Sequence, residues 1–169
     1  TFYGGLQVVP AAFTLGATSV AAGSLLLVNG AANTDRVAAM DPQTGATIAT
    51  LSLAKNYDTT AALYDPATGH IFLIDRSVGP HRIAEVDPLT GAEIATFPAP
   101  ANADEAGFVL DPSGNSIWYA SYNTRTIFQL SKTGEVLRGF SAALQGSDDA
   151  EFTGIAFNAA GKLLASTWQ

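Results

Sequence analysis

The sequence predicts an all-β chain: a β-propeller-type array of four-stranded antiparallel blades, about three complete, with partial strands at both ends. Three observations predict it. One turn returns after 46 residues, a second turn series is interleaved at the same spacing, and short strand-forming runs lie between them. No stretch shows a capped helical period.

The first turn is Asp41-Pro42-Gln43-Thr44-Gly45, which returns as Asp87-Pro88-Leu89-Thr90-Gly91, with a weaker copy at Ser131-Lys132-Thr133-Gly134. The residues after it repeat too, Ala46-Thr47-Ile48-Ala49-Thr50 against Ala92-Glu93-Ile94-Ala95-Thr96. The second series runs through Gly23, Asp65-Pro66-Ala67-Thr68-Gly69, Asp111-Pro112-Ser113-Gly114 and Asn158-Ala159-Ala160-Gly161. Proline presets φ at the second turn position, aspartate bonds its own backbone, and glycine takes the position of positive φ.

Between the turns lie Leu25-Leu26-Leu27-Val28, Ile71-Phe72-Leu73-Ile74 and Ile117-Trp118-Tyr119-Ala120, too short and too β-branched or aromatic for helix. Each period then divides into strands a to d. Blade one is expected at 13–18, 24–29, 36–40 and 46–51, and blade two at 59–64, 70–75, 82–87 and 92–97. Blade three is expected at 106–110, 115–120, 125–130 and 135–140, and an a–b pair at 152–157 and 162–167. The blades so drawn occupy about 13–54, 55–100, 101–144 and, in part, 145–169, as a single repeat domain or part of a larger propeller. Leu6 to Val9 reads as a lone d strand ahead of them.

The run Ile83-Ala84-Glu85-Val86-Asp87-Pro88-Leu89-Thr90-Gly91, followed by Asp111-Pro112-Ser113-Gly114-Asn115-Ser116-Ile117-Trp118-Tyr119-Ala120, resembles the YVTN- and NHL-type β-propeller repeats of bacterial and archaeal proteins. The resemblance covers roughly 13–169. It departs from the WD40 pattern and lacks a literal Tyr-Val-Thr-Asn, with Phe72-Leu73-Ile74-Asp75 and Tyr119-Ala120-Ser121-Tyr122 at the matching places. It implies an architecture and no particular member.

Composition narrows the function. The chain has 169 residues, is 47% hydrophobic and only 14% charged, and carries a formal charge of −7. Such a chain repels a phosphate backbone, and no Lys/Arg cluster offsets this, so nucleic acid is not an expected partner. With no cysteine there is no disulfide framework, zinc–thiolate site or thiol nucleophile. No apolar run approaches the ~20 residues of a membrane helix. The small-residue, low-charge composition points to an extracellular, cell-surface or periplasmic protein, with any signal segment removed or outside the chain. Ring closure normally hides the last sheet edges, and three full blades plus partial strands leave edges open. Four readings follow: part of a longer propeller, a compact ring, two copies closing one ring, or an array whose edge docks a partner.

Acidic residues recur at the entry to strand a: Asp58, then Asp104 and Glu105, then Asp148, Asp149 and Glu151. Carboxylates converging at a channel mouth would bind Ca²⁺, with Asp58, Asp104, Asp148 and Asp149 as ligands; otherwise they solvate loops. Arg36, Arg82 and Arg125 recur near the start of strand c and would line an anion or glycan groove, or bond neighbouring loops. Tyr122 is the exposed stacking candidate among Tyr57, Trp118, Tyr122 and Trp168, since at least one of Trp118 and Tyr119 points into the core. His70 and His81 occupy different strand positions and suggest no shared site. No Ser-His-Asp spacing, phosphate loop or His-Glu-x-x-His segment is present. The expected function is therefore non-enzymatic: a binding or scaffolding module for a protein or glycan. The alternatives are a structural subunit of a surface layer, filament or larger assembly that self-associates through open sheet edges, and a calcium-assisted hydrolase, lactonase or lyase.

Overall fold

The computed structural model describes residues 3–29, 35–100, 105–141 and 151–168, with the side chains of 3, 4, 105, 106, 151 and 168 excepted. Every regular element among them is a β-strand, and no helix there is long and apolar enough to cross a membrane. The chain divides into two compact units, Thr1–Phe97 and Pro98–Gln169.

In the first unit the strands are β1 (Tyr3–Val8), β2 (Phe13–Leu15), β3 (Thr18–Val20), β4 (Leu25–Asn29), β5 (Arg36–Met40) and β6 (Thr47–Ser52). They are followed by β7 (Ala62–Asp65), β8 (His70–Asp75), β9 (Arg82–Val86) and β10 (Glu93–Pro98). Two four-stranded sheets result, ordered β1-β4-β5-β6 and β10-β9-β8-β7, beside the two-stranded hairpin β2-β3. The second sheet takes its strands in chain order, as the repeat predicts, because each tight turn returns the chain beside the strand just made.

The first sheet differs from expectation at its first strand. The lone d strand expected at Leu6 to Val9 is the a strand of the first sheet: β1 pairs antiparallel with β4, Leu6 opposite Leu27 and Val8 opposite Leu25. The segment expected as strand a, 13–18, folds instead with 18–20 into the separate hairpin β2-β3, Phe13 opposite Val20. The hairpin turns Phe13, Leu15 and Val20 into the unit's core, beside Leu26, Val28, Val37, Ala39, Ile71, Leu73 and Val86. Phe13 stacks on Tyr64 at a centroid distance of 4.0 Å. Its apolar alternation is that of a sheet strand, but its burial comes from packing over the two sheets and not from joining one.

The second unit holds β11 (Glu105–Leu110), β12 (Ser116–Ser121), β13 (Thr126–Ser131) and β14 (Val136–Ser141) in one four-stranded sheet. A hairpin of β15 (Glu151–Phe157) and β16 (Leu163–Trp168) follows. Trp118, Ala120, Ile127 and Phe152 form one buried cluster of the unit, with Val109, Ile155, Phe157 and Leu163 packed on them. Both turn series keep glycine at positive φ: Gly45, Gly91 and Gly134 in one, Gly23, Gly69, Gly114 and Gly161 in the other.

The first strands of neighbouring sheets approach closely inside each unit. A Cβ on Gly5 in β1 would sit 3.1 Å from the Ala61 Cβ, and one on Gly107 in β11 would sit 2.6 Å from the Ile155 nitrogen in β15. Gln7 bridges β1 to β7 with its side chain: Oε1 accepts from the Tyr64 N–H at 2.6 Å and Nε2 donates to the Tyr64 carbonyl at 3.1 Å. Its amide thus acts as a short strand partner for β7. Residues 5, 61, 107 and 154, where these approaches occur, are Gly, Ala, Gly and Gly.

Candidate functional site

Asp35, Thr59 and Asp75, buried polar residues of the first unit, gather around the crossover from β6 to β7. That segment carries Lys55, Asn56, Tyr57, Asp58 and Thr59 past the β4–β5 and β8–β9 ends of the two sheets. Asp35, just ahead of β5 and fully buried, holds it from one side, its Oδ2 accepting from the N–H of Tyr57 at 2.7 Å and of Thr59 at 3.3 Å. From the other side the Tyr57 carbonyl accepts the N–H groups of Arg76 and Ser77, at 2.8 and 3.1 Å. Asp58 takes φ of 49° between these anchors, its N–H donating to Asn56 Oδ1.

Asp75, the last residue of β8, is the hub of the charges. Its side chain is 0% exposed. Oδ1 accepts from the Ser77 N–H and hydroxyl, while Oδ2 accepts from Arg82 Nη2 at 2.7 Å and lies 3.7 Å from Lys55 Nζ. Lys55 also pairs with Glu93 and sits 4.7 Å from the Tyr57 ring centroid. Burial opposes ionisation of Asp75, but the hydrogen bonds from Ser77 and Arg82 and the Lys55 charge hold its carboxyl below the usual carboxylate range. Burial, then the negative charges of Glu93 and Asp75, push the Tyr57 phenol well up, so its hydroxyl stays protonated. Arg82 Nε is buried and makes no hydrogen bond, and the buried Tyr57 hydroxyl faces Glu93. Two cations here face two carboxylates, so the cluster neutralises itself and clamps the crossover to the second sheet, while Asp35 holds it on the side of the first.

A pH dependence follows. The carboxyls of Asp75, Asp87 and Asp111 all lie below their usual value. At Asp87 the cause is hydrogen bonds from Leu89 and Thr90; at Asp111, burial notwithstanding, it is those from Ser113 and Trp118. A depressed carboxyl contributes stability that is present above the unfolded value of about 3.9 and lost as pH falls through the folded one. Tyr57 and Tyr64, raised chiefly by burial, contribute stability that is present below about pH 10 and lost as pH rises. Circular-dichroism melts should therefore give a plateau from about pH 5 to 9 with a fall on either side. A melting temperature unchanged down to about pH 2 would contradict the acid limb.

The residues singled out in the sequence separate by location. Arg82 opens β9 opposite Asp75 and is committed to that carboxylate. Arg36 opens β5 at the matching place, opposite Asn29, and is exposed. Arg125 precedes β13 by one residue, with φ of 52°, so Thr126 rather than Arg125 holds the matching strand position. Tyr122 follows β12 and is 38% exposed. Asp58 is exposed; Asp104, Asp148 and Asp149 lie outside the described residues. Among the described residues no group of three or more His, Asp or Glu side chains is arranged to hold a metal. Tyr57, a stacking candidate by sequence, is instead wholly buried. Trp118 is buried with its Nε1–H donating to Asp111 Oδ2 at 2.8 Å. His70 pairs with Glu85, Nδ1 to Oε1 at 2.7 Å.

Sequence reasoning passed over Asp35, Lys55, Asp75 and Glu93. Asp75 was the findable one. Position 29, 75 and 121 of successive repeats read Asn, Asp and Ser, a polar series ending apolar strands.

The chain matches no protein-family model and no curated protein. Among solved structures it is similar to a protein of unknown function from Bacteroides caccae, at 21% identity and a TM-score of 0.51, over 86% of this chain and 51% of that one. It is also similar to Kuenenia stuttgartiensis hydrazine synthase, at 16% identity and a TM-score of 0.57, over 94% of this chain and 42% of that one. The chain thus spans about half the length of the first and less of the second. At these identities the likeness concerns the fold alone.

Proposed function

We infer that the chain is a β-propeller-type array from an exported protein that acts as a non-catalytic binding or scaffolding module. The observation that carries this reading is the employment of its buried acids. Asp35 and Asp75 are fully buried and bound to backbone or to built-in cations, and Asp65 bonds Ala67 and Thr68 of its own turn. Carboxylates so engaged hold loops in place and are not poised to move protons. The propeller part is supported by four-stranded sheets in chain order and by glycines that let inner strands meet. Each unit offers its own candidate contact residue, exposed Arg36 in the first and Tyr122 in the second.

Thermal melts against glycan and peptide panels, and against Ca²⁺ and EDTA, test it. A ligand at 100 times its Kd adds about 2.7 kcal/mol, or roughly 5–10 °C for a chain of this size. A glycan or peptide shift of that order that Arg36→Ala or Tyr122→Ala abolishes is expected. A Ca²⁺-dependent rise together with ester or lactone turnover would replace this reading with the calcium-assisted enzyme.

A further inference from the structure

We propose that Arg36 and Asn29, facing each other across β4 and β5, receive the carboxylate of an aspartate or glutamate side chain from a partner protein. This names the ligand chemistry of the Arg36 surface and rests on the binding reading.

The second sheet holds the same arrangement in a filled form. Arg82 stands opposite Asp75 in β8 and β9, and Arg36 stands opposite Asn29 at the matching place, 46 residues earlier. The arginine is kept, but the groups around it are not. Asn29 takes the place of Asp75, Thr47 that of Glu93, and Val9 that of the competing cation Lys55. Ser77, which also bonds Asp75, is matched by Ala31. Segment 30–34, which joins β4 to β5, reads Gly-Ala-Ala-Asn-Thr and brings no acid.

The adjacent Asp35 does not make good the loss. Successive residues of an extended chain point to opposite faces, and Asp35 is fully buried whereas Arg36 is exposed. Its Oδ2 already accepts from the Tyr57 and Thr59 N–H groups. Asn29 does not hold the guanidinium either, because its Oδ1 is buried and makes no hydrogen bond. Among the described residues nothing bonds the Arg36 side chain. One sheet thus binds its arginine with a built-in aspartate, Nη2 to Oδ2 at 2.7 Å, and the other leaves the same arginine facing a neutral amide.

A carboxylate fits that gap. It matches the fork of a guanidinium in two-point contact. Opposed residues of neighbouring strands hold their Cβ atoms about 4.5–5.5 Å apart, so one carboxylate reaches Arg36 and the Asn29 amide nitrogen together. Ser52, opposite Arg36 on β6, adds a hydroxyl on the other side. An exposed ion pair is weak in water, and the chain's charge of −7 repels an acidic partner at long range. The contact therefore fixes register and choice within a covered interface and is not the main source of affinity.

Arginine side-chain Nε–H signals of the isotope-labelled chain, read by NMR, test this with N-acetyl-aspartate N-methylamide and its uncharged asparagine analogue. The acid should move the Arg36 signal saturably, and the amide should bind roughly tenfold more weakly or worse. Arg82, already paired, should not respond. Asn29→Asp puts a carboxylate into the gap as the second sheet does. It should bring the Arg36 signal toward that of Arg82 and weaken acid binding roughly tenfold, with the melting curve kept. An Arg36 signal indifferent to the acid, or one that responds equally in Asn29→Asp, overturns the proposal. A larger response to glucuronate than to the aspartate probe overturns the protein partner in favour of an acidic glycan. The binding reading fails separately, when no member of the glycan and peptide panels raises the melting temperature; a panel ligand acting through Tyr122 keeps it even where Arg36 is silent.

Discussion

Replacing Gly91 by alanine should cost about 2–5 kcal/mol, whereas the same change at Gly45 should cost about 1–2 kcal/mol. The two glycines close the same turn one repeat apart, with φ of 72° and 70°, so the penalty of left-handed backbone for an L-residue is common to both. Their surroundings differ. A Cβ on Gly45 would meet nothing within 4 Å. On Gly91 it would press into the Ser52 carbonyl oxygen and lie 3.2 Å from Leu53 Cα, at the end of β6. These are backbone atoms, and the Gly91 carbonyl is fixed there by the Ala54 N–H at 3.0 Å, so neither side yields cheaply. Overpacking of about 1–3 kcal/mol is therefore added at Gly91 alone. Urea unfolding of the two variants measures the difference. Equal losses would mean that the second turn does not lean on the first sheet.

That contrast marks what a sequence can carry. The turn itself was legible because its chemistry is local. Asp41 and Asp87 each accept the N–H two residues on, from Gln43 at 2.7 Å and Leu89 at 2.8 Å, and each glycine N–H returns to the aspartate carbonyl. From such turns the strands of the second and third sheets could be placed almost to the residue. The partner of Gly91, in contrast, lies some forty residues back, and nothing in the turn names it.

Pairing in the first sheet failed to show for a related reason. Strand β1 and segment 13–20 both alternate apolar and polar residues, and alternation says that a strand has a buried face without saying which neighbour it joins. The hairpin between β1 and β4 also lengthens the first repeat, so Gly5 falls out of step with the regular series of Ala61, Gly107 and Gly154. The polar clamp was hidden further still. Asp75, Arg82 and Glu93 lie on three strands of one sheet, and only packing of the crossover against that sheet brings Lys55 to them. Arg82 was visible as a repeated arginine; its partner was visible only as one polar residue ending an apolar strand.

Removal of the Asp75 carboxylate should be the most damaging single change in that clamp, about 3–5 kcal/mol for Asp75→Ala, a fifth or more of the stability of an ordinary domain. The loss is larger than the value of any one contact because of what stays behind. Arg82 already has a buried Nε with no partner, and it would lose the acceptor of Nη2 as well. Ser77 would lose the acceptor of its N–H and hydroxyl, and Lys55 would keep only Glu93. Asp75→Asn should fall in between: its amide oxygen still accepts from Ser77, but no charge faces Arg82. The Asn variant should also flatten the acid limb of the stability profile, since one depressed carboxyl no longer titrates. A double-mutant cycle with Arg82→Met separates the pair from its setting. Apolar replacement of both partners should recover part of the Asp75→Ala loss, because no buried charge is then left alone. A cycle with zero coupling, and an Asp75→Ala variant within about 1 kcal/mol of the parent, would mean that the crossover is held by the Asp35 and Tyr57 backbone bonds alone.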